Sequence, residues 1–385
     1  MILNARERFL EVALFGEPDK IPIAGLGDIR PATRKAWLSQ GLPSDVDVLD
    51  YLKVIECALG SKDIASYPWE GFEWEPRPHT INLGPIPPFE YKMIREDERY
   101  RVWVDSLGVT QIGFQDDWKH GWSGFATRTF VEFPVRNSKD FDEMKTRYNA
   151  QDPARYPSNW SKIAETYRNR DYPLCVTIRG PFWWTRDMMG LKEIARGLHV
   201  EPEFVKEVMD FCAEFHVDSL RRALAEVEVD YVVLNEDIGY KRGPMIGPET
   251  VRRFMGDAYK RIAAFFRDCD VKVIFVDSDG NVESLVPFWL DLGINGLTPC
   301  EVAADMDVVK LGQKYPNLTL MGGIDKRKLS QSKSVLEREV MYRVPALVER
   351  KGYFPGVDHA IPPDISLENF KKLTALLKKI CGWLR

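Results

Sequence analysis

Glu236 and Asp237 follow the apolar run Tyr231–Asn235, Asp277 and Asp279 follow residues 271–276, and His359 follows residues 352–356. Each run has the look of a buried parallel strand. In a parallel α/β barrel the C-terminal strand ends meet on one face, and active sites are built there. Carboxylates and an imidazole far apart in sequence then surround one pocket. That set suits an enzyme that moves protons or holds a divalent cation. Asp277 and Asp279 lie two residues apart, so both point to the same side of an extended segment. Two close carboxylates repel, so one takes a proton or they share a cation. His359 serves as acid, base or ligand, with Asp358 placed to orient it. Each residue also has a structural use. Asp279 or Ser278 can cap a helix starting near residue 282, and Glu236 can pair with Lys241 or Arg242.

Two further strand ends carry candidates. Gly180-Pro181-Phe182-Trp183-Trp184 follows one run, and Trp183 and Trp184 either wall an apolar pocket or pack under the next helix. Arg179 and Arg186 flank that segment and can hold a substrate carboxylate. Gly322-Gly323-Ile324-Asp325 places two glycines where the backbone approaches something closely, with Asp325 as helix cap or site residue.

The elements that must position these residues follow a regular rhythm after residue 170. Strands are expected at 174–178, 230–234, 271–276, 294–298, 318–321 and 353–355. Helices are expected at 190–198, 248–268, 282–292, 307–315, 334–349 and 366–383, with two helical stretches within 201–227. Strands alternating with helices predict βα units and a parallel sheet. Before them come a helix at 5–15 and a strand at 21–26. Residues 66–125 differ: they are rich in Pro and Gly, hold Trp69, Trp74, Trp103, Trp118 and Trp122, and show alternation at 100–104 and 108–113. They predict hairpin strands in an elaboration spanning about residues 60–150 of a single 1–385 domain. Ser138 is the expected cap of a helix over 138–149. The first βα turn has no glycine-rich phosphate loop, which argues against a Rossmann dinucleotide fold.

Bulk composition excludes other classes. In 385 residues, 53 Lys and Arg stand against 58 Asp and Glu, so there is no electrostatic footprint for nucleic acid. Six cysteines include no Cys-x-x-Cys pair, which argues against a structural zinc. The first ten residues carry Arg6, Glu7 and Arg8 and no apolar stretch, so neither signal peptide nor membrane span is expected and the cytoplasm is the expected compartment. The 14 Tyr, 20 Phe and 11 Trp supply material for a homodimer interface.

Together, Gly180-Pro181-Phe182, Asn235-Glu236-Asp237, Gly247-Pro248-Glu249, Asp277-Ser278-Asp279-Gly280, Gly322-Gly323-Ile324-Asp325 and His359-Ala360-Ile361-Pro362-Pro363 resemble the uroporphyrinogen decarboxylase superfamily. The opening Arg6-Glu7-Arg8-Phe9-Leu10 and Pro18-Asp19-Lys20-Ile21-Pro22 resemble it too. The resemblance implies a (β/α)8 TIM barrel and one of two chemistries. One is cofactor-free decarboxylation of a tetrapyrrole. The other is zinc-dependent methyl transfer involving a corrinoid protein, including O-demethylation. The decarboxylases' Arg-Gln-Ala-Gly-Arg-Tyr segment is replaced here by Gly25-Leu26-Gly27-Asp28-Ile29-Arg30, so the arginines that hold a polyanion are out of pattern. The methyltransferases' His-x-Cys pair and later Cys correspond to Asp277, Asp279 and His359. The expectation is therefore a methyltransferase of the corrinoid-dependent, demethylase type. It would act on a small methoxylated or methylated substrate and a corrinoid protein partner. Asp277, Asp279, His359 and Glu236 would hold zinc or another divalent cation, with His359, Glu236 and Asp237 as catalytic groups. Trp183, Trp184, Arg179 and Asp325 would bind substrate. The alternatives are a metal-free decarboxylase or lyase, with His359 as proton donor to a small carboxylated substrate or tetrapyrrole, and a non-catalytic binding protein.

Overall fold

Three runs, Leu174–Arg179, Tyr231–Asn235 and Val273–Asp277, are apolar almost throughout, because a parallel strand in a barrel is covered on both faces. The computed structural model describes residues 2–69, 71–119 and 127–384. In it these runs are neighbours in a seven-stranded, all-parallel sheet. Its strands in spatial order are β1 (Lys62–Asp63), β2 (Leu174–Arg179), β3 (Tyr231–Asn235), β4 (Val273–Asp277), β5 (Gly296–Thr298), β6 (Thr319–Ile324) and β7 (Tyr353–Val357). Spatial order equals chain order, the signature of a singly wound βα barrel.

The ring closes through residues 21–24, expected as the first strand. Ala24 N–H donates to the Pro355 carbonyl at 2.8 Å on the β7 side. Ile23 N–H donates to Cys57 O at 2.8 Å, and Leu59 N–H donates to Ile23 O at 3.0 Å, on the β1 side. The segment is too irregular to form a ladder, yet it bridges both edges. No sheet edge is left open there.

Alternation along the strands sorts side chains into two cores. Val176, Ile178, Val232, Leu234, Ile274 and Val276 pack outward under the helices. Cys175, Tyr231, Val273, Phe275 and Phe354 fill the barrel interior. Helix α1 (Ala5–Ala13) plugs the barrel floor. Asn4 caps it reciprocally with Glu7, and Phe9, fully buried, stacks on Tyr231 and Phe354 at ring distances of 4.7 and 5.0 Å. Arg6 fastens the helix to Asp230, just before β3, at 2.7 Å.

The aromatic-rich elaboration forms a four-stranded antiparallel sheet of Lys92–Glu96, Tyr100–Val104, Thr110–Phe114 and Thr129–Glu132, larger than the hairpin expected. Its anchor is Trp103, fully buried, whose Nε1–H donates to Gly71 O at 2.9 Å. Trp122 lies outside the described residues. The helix Ser138–Arg147 is capped by Asn137, whose Oδ1 accepts from Asp140 N, and not by Ser138. Ser138 already has helical geometry, one position inside. Among the described residues no helix is long and apolar enough to cross a membrane.

Truncating Phe9 to Ala empties the floor of the barrel, where three rings meet. It should cost about 3–5 kcal/mol, read as a lower urea midpoint with an unchanged slope.

Candidate active site

The strand register puts Arg179, Asn235, Asp277 and Thr298 side by side at the C-terminal rim of the barrel. Counting back by two from the first three gives Thr177, Val233 and Phe275, so the chemistry-bearing side chains form the topmost inward layer. They are joined by hydrogen bonds. Arg179 Nη1 donates to Asn235 Oδ1 at 2.6 Å, and Asn235 Nδ2 donates to Asp277 Oδ2 at 2.9 Å. Tyr67 OH adds a longer contact to Asn235 Oδ1, at 3.4 Å. Asn235 was not among the residues singled out from sequence. The run before it has no polar–apolar alternation, so only the strand register shows that Asn235 shares the inward face of Val233.

Arg179 is tightly held. Its guanidinium lies over the rings of Trp183, Tyr67 and Trp69 at 4.0, 4.4 and 4.7 Å, and Asp187 pairs with it at 3.4 Å. Trp183 therefore walls the rim through Arg179, and Arg186 stacks on its ring at 4.4 Å. Trp184 takes the other alternative weighed for it, packing against Tyr148, Phe215 and His216 under the helices.

Across the mouth, His359 Nε2 lies 3.3 Å from Asp279 Oδ2. Ala360 N–H donates to His359 Nδ1 at 2.7 Å. That contact assigns the proton of the neutral ring to Nε2, facing Asp279. The Asp279 carboxylate holds the His359 pKa above its ordinary value. Asp237, in a left-handed conformation at φ 41°, accepts the Asp279 N–H on Oδ1 at 2.9 Å. Asp277 is pushed up to about 7, first by burial and then by Asp237 and Asp279. Asp277, Asp279, Asp237 and His359 are thus brought together.

Glu236 and Asp325 are not. One residue beyond Asn235, Glu236 alternates to the helix side of the sheet. There it is fully buried and accepts from Tyr259 OH and from the backbone N–H groups of Phe182 (3.1 Å) and Trp183 (3.5 Å). It caps helix α2 (Pro181–Met189), whose own N-cap, Gly180, has no side chain. A Cβ on Gly180 would lie 1.8 Å from Glu236 Oε2, so glycine is required by the close approach. Burial pushes Glu236 up to about 8. Asp325 caps the short helix Lys326–Leu329 and pairs with Arg327. Asp358 does not orient His359 directly. Its oxygens accept from Lys326 N and Val302 N, tying together the loops after β5 and β6.

The expected metal set of Asp277, Asp279, His359 and Glu236 is therefore not gathered. Among the described residues no three His, Cys, Asp or Glu side chains converge to hold a metal ion. Asp277 Oδ2 already accepts from the Asn235 amide, Asp279 faces His359, and Glu236 points away. A zinc-like ion does not fit this arrangement.

Glu236 also sets a pH dependence. Its folded value near 8 lies above the unfolded value of 4.5, so the folded state holds a proton that the unfolded chain has lost. Stability should fall as pH rises from about 4.5 through about 8, by an amount on the order of a few kcal/mol. Glu236→Gln should flatten that decline, measured as urea midpoints at pH 5 and pH 9. Asn235→Leu leaves Arg179 and Asp277 each short of a partner and should cost about 2–4 kcal/mol at pH 7, read in the same assay.

Comparison with known proteins agrees with this architecture. Residues 126–380 match the model of the uroporphyrinogen decarboxylase (URO-D) family. Among solved structures, a methyltransferase from Methanosarcina mazei superimposes with a TM-score of 0.59 over 98% of this chain and 99% of that one, at 13% identity. A B12-independent methionine synthase from Shewanella sp. W3-18-1 aligns over 56% of this chain and 66% of that one, at 11% identity and a TM-score of 0.35. The search of curated proteins found no match. With about two thirds of its length matched by the family model, the chain belongs to the uroporphyrinogen decarboxylase family.

Proposed function

We propose that this protein is a methyltransferase that moves a methyl group between a small methoxylated or methylated substrate and a corrinoid carried by a partner protein. The observation that carries the proposal is the His359–Asp279 pair at the barrel mouth, beside Asp277. When a methyl group leaves oxygen, that oxygen keeps the bonding pair and needs a proton. His359, kept protonated to higher pH by Asp279, supplies it from Nε2 and takes it back in the reverse direction. Asp277, with a value near 7, stands next to the pair as a second proton holder, fixed in orientation by Asn235. The corrinoid supplies the nucleophile that accepts the methyl group. No step is assigned to a metal.

Decarboxylation of a tetrapyrrole is disfavoured by the arginines. A polyanion needs guanidinium forks turned toward it. Arg179 is committed to Asn235, Asp187 and three rings, and Arg186 to Trp183. A metal-free decarboxylase acting on a small carboxylate is the second reading. It is favoured by Arg30 and Lys326, whose charges both act on His359.

The test uses free cob(I)alamin as probe acceptor with a panel of methoxylated aromatics and methylated amines, following loss of its visible absorbance. The wild type should consume cob(I)alamin with at least one substrate. His359→Ala and Asp279→Asn should each be slower by at least about a hundredfold. Carbon dioxide release from a carboxylated panel without corrinoid, or an unchanged rate in His359→Ala, would sink the proposal.

A further inference from the structure

Arg179, Asn235 and Asp277 stand side by side on β2, β3 and β4, and the hydrogen bonds that join them have only one possible polarity. A guanidinium donates and never accepts. The Asn235 atom that meets Arg179 Nη1 at 2.6 Å is therefore the amide oxygen. The atom that meets Asp277 Oδ2 at 2.9 Å is then the amide nitrogen. An asparagine amide can usually be turned end for end, and here the arginine removes that freedom. Tyr67 OH, 3.4 Å from the same Asn235 Oδ1, does not decide the matter, since a hydroxyl both donates and accepts.

Arg179 is itself held against turning. Its Nε pairs with Asp187 at 3.4 Å, and its Nη2 donates to Pro68 O at 3.3 Å. The rings of Trp183, Tyr67 and Trp69 pack on the guanidinium. The consequence falls on Asp277. Its Oδ2 accepts the Asn235 N–H, so a proton on that oxygen would face another hydrogen. A proton held by this carboxyl belongs on Oδ1. Asp277 is partly exposed, and among the described residues Oδ1 has no hydrogen-bond partner. Burial and the charges of Asp237 and Asp279 favour the protonated form, while the Asn235 N–H and His359 oppose it. The Cys300 thiol, beyond the end of β5, is kept neutral by burial.

We infer that Arg179 is a positioning residue: through the Asn235 amide it makes Oδ1 the proton-bearing oxygen of Asp277 and turns that O–H to the barrel mouth. At this point the site offers a hydrogen-bond donor and takes a substrate atom with an available lone pair. The use of that donor rests on the methyl-transfer reading of the same site. The O–H holds the heteroatom that loses its methyl group, while His359 supplies the proton. The Asn235 N–H stays on Oδ2 whether or not Asp277 is ionised, so the carboxyl keeps its orientation through the cycle.

The test is infrared spectroscopy of the full chain at pH 5, where the Asp277 carboxyl band is the one that Asp277→Asn removes. A carboxyl C=O stretch falls in frequency when its oxygen accepts a hydrogen bond, so the band reports whether Oδ2 receives the Asn235 N–H. In Arg179→Met the amide is released to turn its oxygen to Asp277. The Asp277 proton then moves to Oδ2, and the band should rise. Arg179→Lys, again a donor that cannot accept, should leave the band at the wild-type frequency. The wild-type band should also shift at once in deuterium oxide, since an O–H turned to the mouth exchanges with solvent. That measurement needs no variant at Arg179. An unmoved band in Arg179→Met, equal shifts in Arg179→Met and Arg179→Lys, or slow exchange in the wild type would overturn the inference. Neither corrinoid nor turnover enters these measurements. The expected band shifts without consumption of cob(I)alamin on any substrate would therefore support the inference and remove the methyl-transfer reading.

Discussion

A side chain on a strand of a closed parallel barrel has two places to go: into the barrel or under the helices. The rest of this structure depends on that two-residue alternation. It stacks Cys175, Tyr231 and Val273 above the plug of α1, Thr177, Val233 and Phe275 above them, and Arg179, Asn235 and Asp277 at the rim. The lower layers are mostly apolar and stacked on Phe9 from below. The polar layer therefore rests on a packed base, with its members fixed by strand register and not by loop conformation.

At the rim, charge is held in place by neutral and aromatic intermediaries. The Asn235 amide accepts from Arg179 and donates to Asp277, so a cation and a carboxyl share one orienting group without touching each other. Three rings flank Arg179, and two of them, Tyr67 and Trp69, come from the elaboration that precedes β2. The elaboration thus takes part in the site. It supplies the cover that keeps a nearly buried guanidinium in one position. The opposite side works differently. His359 and Asp279 meet directly, and their loops are tied down by Asp358, which accepts backbone N–H groups from two neighbouring loops.

Glu236 shows the same alternation used for stability. Its carboxyl meets the orphan N–H groups at the start of α2, where Gly180 offers no cap of its own. A strand-end acid beside a strand-end amide thus has a wholly different role, decided by which face of the sheet it occupies.

The sequence by itself determined the order of strands and helices after residue 170, the parallel sheet they build, and the strand ends that carry Asp237, Asp277, Asp279 and His359. These follow from local patterns: apolar runs of strand length, helical spacing between them, and polar residues at the stops. It could not say that Glu236 turns away while Asn235 turns in. Residues 231–234 are apolar throughout because both faces of the strand are covered, so the run shows no alternation from which to read the inward parity of Asn235. Closure by residues 21–24, the Phe9 plug, and the placement of Tyr67 and Trp69 over Arg179 were likewise decided only by the tertiary structure. Each joins segments far apart in sequence, and no local pattern encodes which distant partner a buried group will meet.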